Sequence, residues 1–167
     1  PVEASVVAEE HHEELVASTL GIDEIRSEFG LENGEDHDDE DYETHYHMAV
    51  AYQEMGLMEE AIREYQEAVS LVETHDGTRR FFQCSNLLGH CFLQSGKPKH
   101  AITWFERALD TPDIADEEYH GLWYELATAH ETNGDDVNAS RYFEQIYAEN
   151  VDFRDVSERV KNLVVNR

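Results

Sequence analysis

The sequence predicts an all-α protein built as a stack of three helical hairpins, and three observations carry that expectation. First, residue types recur at fixed offsets from three glycines. Five, nine and twelve residues after Gly56 stand Ala61, Tyr65 and Ala68; after Gly96, Ala101, Phe105 and Ala108; after Gly134, Ala139, Phe143 and Ile146. Upstream the agreement continues through Met48, Leu88 and Leu126, then Ala49, Gly89 and Ala127, then Tyr52, Phe92 and His130. Second, the glycines lie 40 and 38 residues apart, a period that marks stacked units burying their apolar faces only against neighbours. Third, the chain closes on one apolar stripe, Val156, Val160, Leu163 and Val164, opposite Glu158, Arg159 and Lys161, the composition of a terminal capping helix.

Taken in order, residues 4–20 form a candidate helix with Val6, Val7, Leu15, Val16 and Leu20 as its apolar content. Residues 21–31 form a clearer amphipathic one through Ile22, Ile25 and Phe29. This short helix needs something to lie against: it caps the first repeat, stays partly mobile, or docks into a groove of its own or another molecule. Residues 32–41 carry seven carboxylates and no apolar anchor, which predicts a flexible, solvated linker. The first helical pair spans 42–55 and 58–72, with Glu59 and Arg63 at i,i+4. The second spans about 80–95 and 98–109, with Pro98 suited to a first helical turn and Thr111-Pro112 as its stop. The third spans about 117–132 and 136–148, with Asp135 as N-cap. The segments THDGTRR and DTPDIADEE between pairs are expected as loops or extra helical turns.

This pattern resembles the tetratricopeptide repeat (TPR) family over residues 42–148, where a small residue sits at the helix crossing, a glycine makes the turn and alanines admit the next repeat. The resemblance implies a right-handed superhelical stack of three hairpins (about 42–75, 82–115 and 120–150) with a C-terminal capping helix at about 153–166. That leaves residues 1–41 as an acidic extension and 42–167 as the repeat domain. The family's usual period is 34 residues, so both spacings here are longer. The large aromatic that often opens the first helix is present as Trp123, with His45 and Ser85 in its place elsewhere. The tail FRDVSERV also resembles the end of long bacterial multi-repeat scaffold proteins, which would make this chain a C-terminal module. Pro1 in place of Met is expected of a processed or excised chain.

The net charge of −26 is spread along the chain: 15 acidic residues against Arg26 within residues 1–41 leave −12 for the remainder. Phosphate backbones are repelled by such a field, so nucleic acid and anionic membranes are disfavoured, and a basic or apolar protein segment is favoured. No run of 18 apolar residues is present to span a membrane. The acidic start is unlike a signal peptide. Cys84 and Cys91, roughly 10 Å apart along one helix, lie beyond disulfide reach and fit a reducing cytoplasm. A monomer or weak homo-oligomer is expected.

On the first helix of each pair one stripe faces the core: Met48, Ala49 and Tyr52, with their counterparts. A second stripe holds Tyr46, Val50 and Gln53, then Asn86, His90 and Leu93, then Tyr124, Thr128 and Glu131. The resemblance implies that first helices line a concave surface where these nine positions contact bound peptides. Tyrosine, leucine and valine on such a face suit an interface; burial by neighbouring helices is the competing explanation. Some family members hold a partner's C-terminal carboxylate with Lys, Arg and Asn, but Asn86 stands here without a basic companion. Glu43, Glu54, Glu125 and Glu131 around the stripe favour a ligand with Lys or Arg beside apolar anchors. The function expected is therefore a non-enzymatic scaffold that binds a peptide or protein.

Two rivals are a self-assembling module whose groove is filled by an N-terminal helix, and a metal protein or enzyme. His11, His12, His37, His45 and His47 with nearby carboxylates are the candidate metal ligands, yet H-E-x-x-H is absent and no cofactor is expected. His130 occupies an aromatic packing position. His90 and Cys91, as helix neighbours, point about 100° apart, so they do not form a nucleophile–base pair, and no phosphate-binding or nucleophile-elbow motif occurs.

Overall fold

The computed structural model describes residues 34–165 and their side chains over residues 39–163. The expected helices at 4–20 and 21–31 lie outside the described residues. The chain divides into two compact units, Pro1–Asp39 and Glu40–Arg167. The described residues are helical throughout, apart from turns: α1 (Gly34–Glu54), α2 (Met58–Ser70), α3 (Arg80–Gln94), α4 (Pro98–Leu109), α5 (Asp116–Thr132), α6 (Asp136–Glu149) and α7 (Val156–Val165).

Each hairpin is closed by the same backbone device. Gly56, Gly96 and Gly134 adopt φ of +76°, +71° and +77°, the left-handed region open to glycine without steric cost. At the first turn the Gly56 N–H donates to the Gln53 carbonyl (3.0 Å) and the Leu57 N–H to Tyr52 (2.9 Å). Lys97 to Phe92 (2.9 Å) and Asp135 to His130 (2.8 Å) repeat the longer bond. This is the Schellman arrangement, which satisfies the carbonyls a helix end leaves over. The segments between hairpins are loops. In the first, Asp76 accepts from the Thr78 N–H (2.8 Å) and hydroxyl (2.6 Å), a side chain imitating a backbone turn.

Second helices bury what the recurring offsets mark. Tyr65, Phe105 and Phe143 are fully buried, as are Ala61, Ala68, Ala101, Ala108, Ala139 and Ile146. Each aromatic contributes about 1.5–3 kcal/mol by leaving water, and the alanines let helices approach. Packing runs in chain order: α2 on α3, α3 on α4, α4 on α5, α5 on α6 and α6 on α7. First helices of successive hairpins also meet. The Cys84 thiol donates to the Tyr42 hydroxyl (3.6 Å), His90 lies 3.8 Å from Glu125, and Arg159 donates to Glu131 (2.8 Å). The last contact places α7 where the first helix of a fourth hairpin would stand.

Two expectations need correction. The helix opens at Gly34, inside the stretch 32–41 expected as a flexible linker. Acidic residues are favoured near the positive end of a helix, and the stretch places Glu35, Asp36 and Asp38 in the opening turns. Met48, expected in the core, is 39% exposed, whereas its counterparts Leu88 and Leu126 are fully buried. The helices that carry those two each pack on the second helix of the preceding hairpin, and among the described residues no helix precedes α1.

Candidate partner-binding face

The nine stripe residues fall on three helices: Tyr46, Val50 and Gln53 on α1, Asn86, His90 and Leu93 on α3, and Tyr124, Thr128 and Glu131 on α5. All nine are half-buried. The reason lies in the aromatic rows beneath them. Tyr46 stands edge-on to the buried Tyr65 (6.0 Å, 67°), His90 to Phe105 (5.3 Å, 81°) and Tyr124 to Phe143 (5.5 Å, 77°). In each hairpin one ring from the first helix thus rests on the core aromatic of the second. The middle hairpin has Asn86 where the others have tyrosine, and His90, one turn on, takes the role.

Polar groups on the face are tied to neighbours. The Tyr65 hydroxyl donates to the Gln53 side-chain oxygen (2.9 Å), which satisfies a buried phenol. His45 pairs with Glu64 at 2.7 Å. Thr128 donates its hydroxyl to the Tyr124 carbonyl within α5 (2.9 Å). Burial pushes the phenols of Tyr46 and Tyr124 above their ordinary pKa, and for Tyr124 the bond to Asp155 adds to it.

The end of the face formed by α5 is covered by the C-terminal segment. Arg154 donates to Glu125 (2.9 Å) and lies over the rings of Tyr124 (4.6 Å) and Phe153 (5.3 Å). The Tyr124 hydroxyl donates to Asp155 (2.6 Å), and that bond holds the Asp155 carboxyl below its usual pKa. Arg159 donates to Glu131 and lies 5.2 Å over Phe143. Of the acidic residues expected to attract a ligand, Glu125 and Glu131 are therefore engaged within the chain, while Glu43 and Glu54 are exposed. Reading the stripe alone misses this segment. Its signal is Arg154 and Arg159 on either side of the apolar Val156, two of the twelve Lys and Arg residues of the chain.

The remaining candidate chemistry is quiet. Burial raises the thiols of Cys84 and Cys91 to about 11, where neither is an effective nucleophile near neutral pH. His130 is buried, stacks on Tyr142 (5.8 Å) and lies 3.2 Å from Asp135, as a core histidine should. No group of three or more His, Cys, Asp or Glu side chains is placed to hold a metal ion among the described residues.

The tetratricopeptide repeat family model matches residues 41–112, which hold most of α1 and all of α2, α3 and α4. No curated protein matches the sequence. Similar solved structures include MamA, 16% identical with a TM-score of 0.62, covering 77% of this chain and 64% of that one. The chain thus spans less than two thirds of the MamA chain it matches. Two others are the N-terminal domain of stress-induced protein-1 (STI-1) from C. elegans and the TPR domain of Arabidopsis FLU. The first is 16% identical with a TM-score of 0.62, covering 78% of this chain and 98% of that one. The second is 16% identical with a TM-score of 0.59, covering 67% and 96%. At these identities the likeness is one of fold.

Proposed function

We propose that this chain, with its tetratricopeptide repeats over residues 41–112, binds a protein or peptide partner along the face shared by α1, α3 and α5. The partner carries Lys or Arg beside apolar side chains. The observation that carries this reading is the row of half-buried rings, Tyr46, His90 and Tyr124. Each is braced from beneath by a core aromatic and keeps part of its surface in water. Rigid rings that are already ordered lose little entropy on binding. Val50 and Leu93 supply apolar contact between them, and Glu43 and Glu54 lie exposed on α1. The net charge of −26 steers a basic ligand toward the chain and repels phosphate backbones.

Burial keeps the Cys84 and Cys91 thiols protonated near neutral pH, so neither offers a nucleophile on this face. No described helix is long and apolar enough to cross a membrane. Two buried free thiols suit a reducing compartment, and we assign the cytoplasm.

A dye-labelled peptide library that pairs Lys or Arg with Leu or Phe, set against an acidic library of equal hydropathy, tests the reading. Wild-type protein should enrich basic–apolar sequences, and Tyr46→Ala with His90→Ala should weaken the best of them roughly thirtyfold, the effect of losing about 2 kcal/mol of anchor energy. Equal enrichment of both libraries, or equal binding by the folded double variant, would remove the assignment.

A further inference from the structure

Within the described C-terminal segment, basic and aromatic side chains meet the proposed binding face in the way an external ligand of the same chemistry would. Arg154 lies over the adjoining rings of Tyr124 and Phe153, whose centroids are 6.3 Å apart, with its guanidinium on Glu125. Five residues further, within α7, Arg159 reaches Glu131 and lies 3.3 Å from Asp155. Resting on the reading above, we infer that residues 153–159 are an internal ligand of this face, occupying Tyr124, Glu125 and Glu131 in competition with an arginine-bearing partner.

Three features favour an occupant over a fixed part of the core. The anchoring is slight: among the described side chains of α7 only Val156 is fully buried, against seven buried residues on α3. Val156 also belongs with Ala127, Phe143 and Ile146 to a small cluster separate from the main core, so lifting α7 leaves the contacts of α1 to α4 untouched. Finally, Arg154 holds φ at +47°, a left-handed conformation that non-glycine residues adopt at a cost and that persists where side-chain contacts enforce it. Its guanidinium contacts to Glu125 and Tyr124 are those contacts. Glu125 is shared, since His90 of the middle hairpin lies 3.8 Å from it. Release of Arg154 would therefore free a carboxylate at the junction between the covered and uncovered ends of the face.

The test uses the full chain and, as probe, a dye-labelled free peptide of residues 151–167. In wild-type protein the tethered copy, at a high effective concentration, should exclude the probe. The variant Arg154→Gln, Arg159→Gln should bind it at least about tenfold more tightly, and adding Tyr124→Ala should abolish the gain. Equal binding by wild type and variant, or binding by neither, overturns the inference. Hydrogen exchange on the wild-type chain guards against a variant that does not fold. Amides of residues 160–163 should exchange at least about tenfold faster than those of α3 by local opening, and equal protection overturns the inference as well. Library binding that depends on Tyr46 and His90 can succeed while this test fails, and the reverse, so the two readings are separable.

Discussion

Gly89 and Ser85 stand four residues apart on α3, both buried, and each answers to a different force. A Cβ built on Gly89 would lie 2.4–2.7 Å from three atoms of the Phe105 ring, and that ring is fully buried. Alanine there should gain about 1 kcal/mol of helix propensity and lose about 2–3 kcal/mol to overpacking. Gly89→Ala is therefore expected to lower Tm by a few degrees, and an unchanged or raised Tm in a thermal melt would contradict the close approach. Ser85 carries a buried hydroxyl with no hydrogen-bond partner. Removing an unsatisfied polar group relieves a desolvation cost of about 1–3 kcal/mol at most, so Ser85→Ala should raise Tm; a fall would mean that the hydroxyl is satisfied. The glycine is legible in the sequence through its alanine counterparts Ala49 and Ala127. The orphan hydroxyl is not, because it depends on what neighbouring helices bring to it.

Helices are the scale at which the sequence is most legible. The glycine stops, Pro98 and the Asp135 cap fix ends locally, so the expected bounds of α2 to α6 agree with the observed ones to within two residues. The opening of α1 is not legible, because charge density alone argues for solvation and is silent on where a helix places its acidic turn. The covering of Tyr124 by Arg154 is hidden for a different reason: Arg154 and Glu125 are 29 residues apart and meet only once α7 has docked. The cap of α6 yields a pH prediction. Asp135 accepts from the Asn138 side-chain amide (2.6 Å) and backbone N–H (3.1 Å), bonds that hold its carboxyl below the usual value. A depressed folded pKa means stability present above the unfolded pKa of about 3.9 and lost as pH falls through the folded value. Asp135→Asn keeps the cap without the titrating group, so its Tm should fall less steeply than that of wild type between about pH 4 and pH 2.5. Parallel melting curves would rule the linkage out.

Over the whole molecule, charge and connectivity govern. A net charge of −26 opposes compaction by self-repulsion, and salt shortens the range of that repulsion from about 30 Å at 0.01 M to 3 Å at 1 M. Raising NaCl across that range should increase Tm by about 2–6 °C, as a gain of roughly 1–2 kcal/mol predicts for a domain of this size; a falling Tm would show that the surface ion pairs outweigh the repulsion. The Schellman turns carry a further consequence. Each hairpin's punctuation is complete within six residues and borrows nothing from its neighbours. Duplication or excision of a whole 38- or 40-residue period would therefore leave every surviving turn in phase, so an array written this way can change length by unequal crossing-over without losing its reading frame of structure.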